Sequence, residues 1–301
     1  MGIFCSCNSE IQLLRRRFKL YQAADTGNLK TVKKIIYRYP NCYSYEAMAY
    51  AAQSGHFDIV QFMYTHKHHS DIEVNYTIIQ AIYRGNHEII QYLINHRGGL
   101  QFAVTYDMFR VALQMQVNDV LEILFNCSYN EHVRIQTLYY AIRIGDVKSM
   151  DRLLDDNKEE IYECLQHAAM FNKSQTIEHL IKKGKFELVN ALNTAVRYEN
   201  IIIIKTLIKY GAIPDRITLF RSTMCYNKEV IKLLLNSYTW DRSSELQLLN
   251  CSIYFCRRLV VLNTTILQVY EILINLKFMC DDTVRHIFSF FNILIYDRLR
   301  R

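Results

Sequence analysis

The residues best suited to chemical modification stand at the start of the chain, in the stretch MGIFCSCNSE. Gly2 follows the first methionine and Ser6 comes four residues later, which matches the pattern for attaching a myristoyl chain to an N-terminal glycine. One such chain binds a membrane only reversibly, so a stable anchor needs a second signal. Cys5 and Cys7 are candidates for that signal because their thiols accept palmitate. The alternative is that residues 1–17 form an unmodified tail.

Positive charge is concentrated near the same end of the chain. Residues 1–40 contain eight basic and two acidic side chains, and the net charge of the whole chain is +7. Basic side chains attract the anionic headgroups of a membrane surface, each contributing ~1 kcal/mol close to it. No nucleic-acid-binding module follows, so we expect no nucleic acid as a partner. The alternative is that RRRFKLYQAA forms a basic outer face on the first helix of the fold.

Histidines and cysteines are the residues that would hold a metal ion. His66, His68 and His69 lie in the stretch HKHH, which is either a weak metal site or a solvated loop. The cysteines number nine and show no zinc-site spacing, so we expect no metal. Free thiols suit a reducing compartment. Because no apolar run is long enough to span a membrane and no secretory leader is visible, the sequence predicts a cytoplasmic location.

Residues for catalysis are not grouped into any recognisable motif. The sequence contains no nucleophile elbow, no phosphate-binding glycine loop, no HExxH and no dinucleotide fingerprint. A catalytic site requires a nucleophile or an acid–base pair held by a third group. We therefore expect neither an enzyme nor a bound cofactor.

An internal repeat of 27 to 31 residues runs along most of the chain. The segments AADTGNLKTVKKII, AAQSGHFDIVQFMY, AIYRGNHEIIQYLI and AIRIGDVKSMDRLL share a small residue, a glycine four residues later and apolar residues at fixed offsets. Such self-similarity at a nearly constant period is typical of a solenoid. We call the small residue the anchor, and the anchors are Ala23, Ala51, Ala81, Ala112, Ala141, Ala168, Ala195 and Ser222.

The positions around each anchor predict two helices per repeat. An apolar residue such as Met48 stands three before the anchor, and apolar pairs such as Ile59 and Val60 follow it by eight and nine residues. The anchor is small because two helices and the next repeat converge there. The glycine permits a left-handed turn between the helices. Other residues replace it in four repeats, namely Gln116, Asn172, Glu199 and Tyr226.

Over residues 18–240 this pattern resembles the ankyrin repeat, and AMAYAAQSGHFDIVQFM follows the core of the family's motif. The resemblance implies an all-α, ankyrin-type helical solenoid of about eight or nine helix-pair repeats. The period falls short of the usual length and the T-P-L-H opening is missing, so we expect clipped turns between repeats. His56 and His87 stand at or beside the position where the family has a structural histidine. The abundance of Ile, Asn, Lys and Tyr is similar to that in the ankyrin proteins of large DNA viruses.

The pattern changes after residue 240. We expect residues 241–278 to form a degenerate ninth repeat and residues 279–301 to form either a capping helix or an F-box-like helix. The second alternative depends on MCDDTVRHIFSFF, where Cys280 replaces the expected proline. This stretch is similar to the first helix of an F-box at Met279, Asp282, Ile287, Phe288, Phe290 and Phe291. The resemblance implies recruitment of a ubiquitin-ligase linker protein, as in poxvirus ankyrin proteins.

Two functions follow from these resemblances. The first is a non-enzymatic protein–protein interaction module, with a viral modulator of host processes in the host cytoplasm as the finer hypothesis. The second is an adaptor that presents a bound protein to a ubiquitin ligase. In ankyrin arrays the first helices line the concave side, where Tyr and Arg would supply binding hot spots. We expect the partner to contact Tyr45, Tyr83, Tyr106, Arg143, Tyr162, Met170 and Arg197.

Overall fold

The computed structural model describes residues 2–155, 157–184, 186–215, 217–218, 221–222 and 227–237. The chain divides into two compact units between Leu153 and Leu154. Within the described ranges the regular elements are helices, and the only β-type pairing there is an isolated bridge between Ala103 and Ser128. The predicted all-α, ankyrin-type helical repeat fold is confirmed. The proposed ninth repeat, 241–278, and the C-terminal helix, 279–301, lie outside the described residues.

The first unit is a succession of helix pairs joined by short links. Two single turns of 3-10 helix, Pro40–Cys42 and Gly99–Gln101, lie in the links between repeats. The helices are α1 (Gly2–Asp25), α2 (Leu29–Arg38), α3 (Tyr45–Gln53), α4 (Phe57–His66), α5 (Asp71–Ile82), α6 (His87–His96), α7 (Tyr106–Met115), α8 (Asn118–Phe125), α9 (Glu131–Ile144) and α10 (Val147–Leu153).

The second unit continues the same alternation of first and second helices. Its described helices are α11 (Lys158–Met170), α12 (Ser174–Lys182), α13 (Val189–Arg197), α14 (Ile201–Lys209) and α15 (Lys228–Ser237). Between α14 and α15 the anchor Ser222 is buried, in the register that the repeat predicts.

The anchors and the apolar residues before them form the core. Each alanine anchor is at most 6% exposed, and all of them except Ala23 are completely buried. Large apolar side chains are buried in the same helices. Those large side chains stand three residues before the anchor and are at most 1% exposed: Leu20, Met48, Ile78, Phe109, Leu138, Leu165 and Leu192. Burial of such side chains stabilises the fold by about 1.5–3 kcal/mol each.

The turn after each first helix has one backbone geometry throughout the described repeats. A residue in the left-handed region follows the helix, as Gly27 does with φ 74° and Gly55 with φ 80°. The next residue then donates its N–H to the carbonyl of the anchor, over 2.9 Å from His56 to Ala51 and 2.9 Å from Asp146 to Ala141. This bond satisfies a carbonyl at the helix end that would otherwise lack a partner.

Three repeats without the glycine keep the left-handed turn. Gln116, Asn172 and Glu199 have φ values of 56°, 57° and 54°. The residues that follow them still bond to the anchors, as Asn200 does to Ala195 over 2.9 Å. The packing of two helices therefore overrides the preference of an L-residue for negative φ. The fourth replacement, Tyr226, lies outside the described residues.

The N-terminal segment is helical from Gly2 onward. Residues 1–17 were predicted to precede the array, whereas α1 runs without interruption from Gly2 to Asp25. It is much longer than α3, Tyr45–Gln53, and the basic stretch predicted as an outer face is part of it. The first helix of the array therefore extends through the segment that carries Cys5 and Cys7.

The left-handed residues give a direct test of the turn. Replacing Gln116 by Gly should raise the free energy of unfolding by about 0.5–1 kcal/mol, because glycine adopts this φ without the steric cost that a Cβ atom brings. Chemical denaturation measures the change. The matched control is Gln114→Gly, two residues earlier inside α7, which should lower the stability by about 0.5–1 kcal/mol. Equal effects of the two substitutions would contradict the assigned turn.

Candidate functional site

Exposed tyrosines lie on the first helices of the first unit. We use the name first-helix face for the solvent-facing side chains of α1, α3, α5, α7 and α9. The rings of Tyr45 and Tyr76 meet edge to face with centroids 5.9 Å apart, and those of Tyr21 and Tyr50 are tilted at 5.6 Å. Tyr50 and Tyr76 are 44% and 42% exposed. Such pairs contribute about 0.5–1.5 kcal/mol beyond area burial, so these rings support one another across adjacent repeats.

The hydroxyl group of Tyr45 remains neutral. The carboxylate of Glu46 raises the pKa of Tyr45, with further contributions from burial and from Tyr76. A protonated phenol both donates and accepts hydrogen bonds. Each exposed tyrosine therefore offers a partner an apolar ring and a polar tip.

A second tyrosine pair lies beside arginines on α7 and α9. The rings of Tyr106 and Tyr140 meet edge to face with centroids 6.3 Å apart. Burial raises the pKa of Tyr106, and the positive charges of Arg110 and Arg143 act against that shift. Arg143 is thus within electrostatic reach of Tyr106. The structure brings these two predicted site residues together on the first-helix face.

The other predicted partner-binding residues have different surroundings. Tyr83 is half-buried at the end of α5, and Arg197 is exposed with its guanidinium 5.9 Å from the ring of Tyr198. Met170 is half-buried at the end of α11. The hydroxyl of Tyr162 accepts a hydrogen bond from the Glu187 N–H over 3.2 Å, so this tyrosine also fastens the link before α13.

Sequence reasoning missed Tyr21, Tyr50, Tyr76 and Tyr140. The predicted contacts were drawn only from the residue two after each anchor and the residue six before it. Tyr50 and Tyr140 stand one residue before their anchors, Tyr21 stands two before and Tyr76 stands five before. Tyrosines at those positions in successive repeats were the signal in the sequence. A first helix exposes a stripe wider than one position per turn, because 3.6 residues complete each turn.

Side chains that follow the turn join successive repeats. Nε2 of His56 donates to the carbonyl of Asp25 over 2.8 Å. The side-chain amide of Asn86 donates to the carbonyls of Ala52 and Gln53 over 2.7 and 3.1 Å. His56 therefore has the structural role that the sequence predicts, because its side chain joins its repeat to the preceding one. In the next repeat Asn86 makes this connection in place of His87.

The HKHH stretch forms part of an aromatic cluster. His69 is buried, and its Nε2 lies 2.8 Å from the Tyr43 hydroxyl and 3.2 Å from the Met63 carbonyl. The ring of His66 stacks on Phe62 with centroids 5.4 Å apart. Among the residues that the structure describes, no group of three or more histidine, cysteine or acidic side chains is arranged to hold a metal ion.

The remaining predicted sites lie near the ends of the chain. Gly2, Cys5 and Cys7 belong to α1. The F-box-like residues Met279, Asp282, Ile287, Phe288, Phe290 and Phe291 lie outside the described residues. In the described part of the chain, no helix combines the length and the apolar character needed to cross a membrane.

Comparison with known protein families adds one finding. Residues 48–94 match the family model for ankyrin repeats (many copies), and these residues run from α3 to α6. The matched model indicates a protein–protein interaction module and indicates no catalytic family. No curated protein matches the chain. The helix pairs, the left-handed turns and the matched segment together give this chain an ankyrin-type helical repeat fold.

Proposed function

We propose that the chain binds a protein partner through its first-helix face. The observation that carries this proposal is the series of tyrosine pairs that connect adjacent first helices, Tyr21 with Tyr50, Tyr45 with Tyr76 and Tyr106 with Tyr140. Tyrosine and arginine are enriched among binding hot spots, because each combines a large contact area with hydrogen-bonding groups. Tyr83, at the end of α5, remains part of this proposal, whereas the predicted contacts Tyr162, Met170 and Arg197 stand on α11 and α13 of the second unit, outside this face, and remain separate predictions.

Support also comes from the rigidity of the face. The tyrosines stand on helices whose opposite sides are buried in the core, as Ile78 is on α5 and Phe109 on α7. Aromatic side chains on a fixed backbone lose little conformational entropy on binding. A partner that contacts several first helices at once would gain affinity from this preorganisation.

The tyrosine pairs predict a contrast between two exposed tyrosines. Tyr76→Ala should weaken binding of the partner by about tenfold, the loss expected for a hot spot, whereas Tyr37→Ala on α2 should change it less than twofold. Both residues are exposed, at 42% and 65%, and each ring has aromatic neighbours, so both substitutions should lower the free energy of unfolding by a similar amount of about 0.5–1.5 kcal/mol. The partner is first captured from cells, and its affinity for each purified variant is then measured by titration. Equal affinities of the partner for the two variants would show that the interface does not include the first-helix face.

The finer hypothesis is an interaction with host proteins by a viral protein in the host cytoplasm. It is supported by the compositional likeness to viral ankyrin proteins. Buried free thiols at Cys42, Cys127 and Cys164 suit a reducing compartment such as the cytoplasm.

The adaptor hypothesis gives a second, separable experiment. If residues 279–291 recruit a ubiquitin-ligase linker protein, Ile287→Asp with Phe291→Asp should abolish co-purification of the linker while the partner of the first-helix face is retained. If this segment caps the array, the same substitutions should lower solubility through lost apolar burial, and no linker should co-purify with the original chain.

An anionic membrane surface is a second candidate partner, favoured by the exposed side of α1. Ile11, Leu14 and Phe18 are 48%, 63% and 68% exposed and stand three and four residues apart, so they share one side of the helix. Arg15 and Lys19 are exposed beside them. An apolar stripe flanked by basic residues is typical of a helix that lies in a membrane interface.

Vesicle binding tests this second candidate. The unmodified chain should sediment with vesicles that contain phosphatidylserine and not with neutral phosphatidylcholine vesicles, and salt should weaken the binding. Leu14→Ser with Phe18→Ser should reduce the bound fraction several-fold, whereas Ile202→Ser, which changes an exposed isoleucine on α14, should not. A mass spectrum of the N-terminal peptide from a eukaryotic host shows whether Gly2 and the two cysteines are also acylated. Equal sedimentation with both kinds of vesicle would contradict the proposed surface.

A further inference from the structure

The junction between the fourth and fifth repeats lacks the side-chain bond that joins other repeats. At three other junctions the side chain of the residue after the left-handed turn donates to carbonyls at the end of the preceding first helix. His56 donates to Asp25, Asn86 to Ala52 and Gln53, and Asn200 to Ala169 and Met170. The equivalent residue of the fifth repeat is Asp146, whose side chain has no N–H group to donate.

Asp146 bonds within its own repeat instead. Its Oδ1 accepts the N–H of Ser149 over 3.3 Å at the start of α10. The carbonyls that correspond to those of Ala52 and Gln53 are Leu113 and Gln114 at the end of α7. In the described part of the chain, no side chain donates to either of these two carbonyls.

The junction between the third and fourth repeats also lacks a donor but is filled. There the residue after the turn is Val117, and a Cβ atom added to Gly85 would come within 2.9 Å of its Cγ1. An apolar side chain thus occupies the space that a histidine or asparagine occupies elsewhere. Asp146 does not fill its junction in this way.

A groove of ≈ 420 Å³ lies at the unfilled junction. Leu113 and Gln114 line one wall, Tyr140 and Ile144 line the other, and Asp146 is the single charged residue in the lining. The volume falls within the range of ligand pockets, about 300–1,000 Å³. The groove adjoins the first-helix face, because Tyr140 belongs to both.

The lining matches the chemistry of a guanidinium group. An arginine carries several N–H donors in a planar fork, which suits a carboxylate together with carbonyl oxygens. The aliphatic stem of an arginine packs on apolar side chains such as Ile144, which is 37% exposed, and the guanidinium stacks on aromatic rings such as Tyr140. The donors would supply the bonds that Asn86 makes at its own junction.

We propose that the groove between the fourth and fifth repeats binds an arginine side chain of the protein partner. This inference rests on the proposed function of the first-helix face and adds a chemical requirement for the partner. An arginine in an exposed segment of the partner would enter beside Tyr140, with its guanidinium on Asp146 and on the carbonyls of Leu113 and Gln114.

A short peptide tests the groove without knowledge of the partner. The probe is the acetylated and amidated tripeptide Ala-Arg-Ala, titrated into the full chain while the methyl resonances of Leu121 and Ile144 are followed by NMR. We expect saturable shifts with a dissociation constant in the range of about 1–10 mM, as for a single anchored side chain. The peptide Ala-Glu-Ala should produce no saturable shift.

Two substitutions of Asp146 make the test specific. Asp146→Asn should weaken peptide binding about tenfold or more. It should also raise the melting temperature, because the new amide can donate to Leu113 and Gln114 as Asn86 does at its junction. Asp146→Ala should weaken binding similarly without that increase. The matched control, Asp119→Asn, changes an exposed acid on α8 outside the groove lining and should leave the affinity within about twofold.

Several outcomes would overturn the inference. These are no saturable binding to the original chain, equal affinity for the Asp146→Asn chain, equal binding of the glutamate peptide, or tighter binding of Ala-Lys-Ala than of the arginine peptide. None of them affects the comparison of Tyr76→Ala with Tyr37→Ala, which tests the first-helix face alone. A failure of the groove is therefore distinguishable from a failure of the proposed function.

Discussion

The repeat architecture depends on one backbone hydrogen bond, from the residue after the left-handed turn to the carbonyl of the anchor. The bond ends the first helix, and the residue that donates it also precedes the first residue of the second helix, as Asn28 precedes Leu29 and Asn200 precedes Ile201. Because the chain folds back directly over the anchor, only a small side chain fits there. The conserved geometry of the turn therefore explains both the buried alanines and the fixed offset of the apolar residues that follow them.

The same register shows how α1 differs from the later first helices. The residue four before the anchor is buried in later first helices, as Ala47, Thr77 and Met108 are. In α1 this residue is Lys19, and it is exposed. A lysine is suited to an exposed position on a helix, because its charge stays in water while its stem covers the helix.

Periodicity predicted the helix pairs and the core because both depend on local spacing. The anchors and the residue three before each are set by helix geometry, and the structure buries them where the sequence predicts. Spacing did not predict that Gln116 and Glu199 would hold the left-handed turn, since their own preference is against it and tertiary packing decides. Nor did it predict the tyrosine pairs, because a contact such as that of Tyr45 with Tyr76 depends on how two helices align.

The repeats of this chain differ most in the side chain of the residue that follows the left-handed turn. The residue after the turn needs only its backbone N–H to close the repeat, so its side chain can vary without loss of the fold. At this position His56 and Asn86 form hydrogen bonds to the preceding repeat, and Val117 fills the junction with an apolar side chain. Asp146 does neither, so its junction contains an open groove lined by a carboxylate. An open junction forgoes a hydrogen bond worth about 0.5–1.5 kcal/mol to the fold. Helix capping accounts for an acid at this position, since Oδ1 of Asp146 accepts the Ser149 N–H at the start of α10, but it does not account for the open groove, which the proposed arginine of the partner would fill.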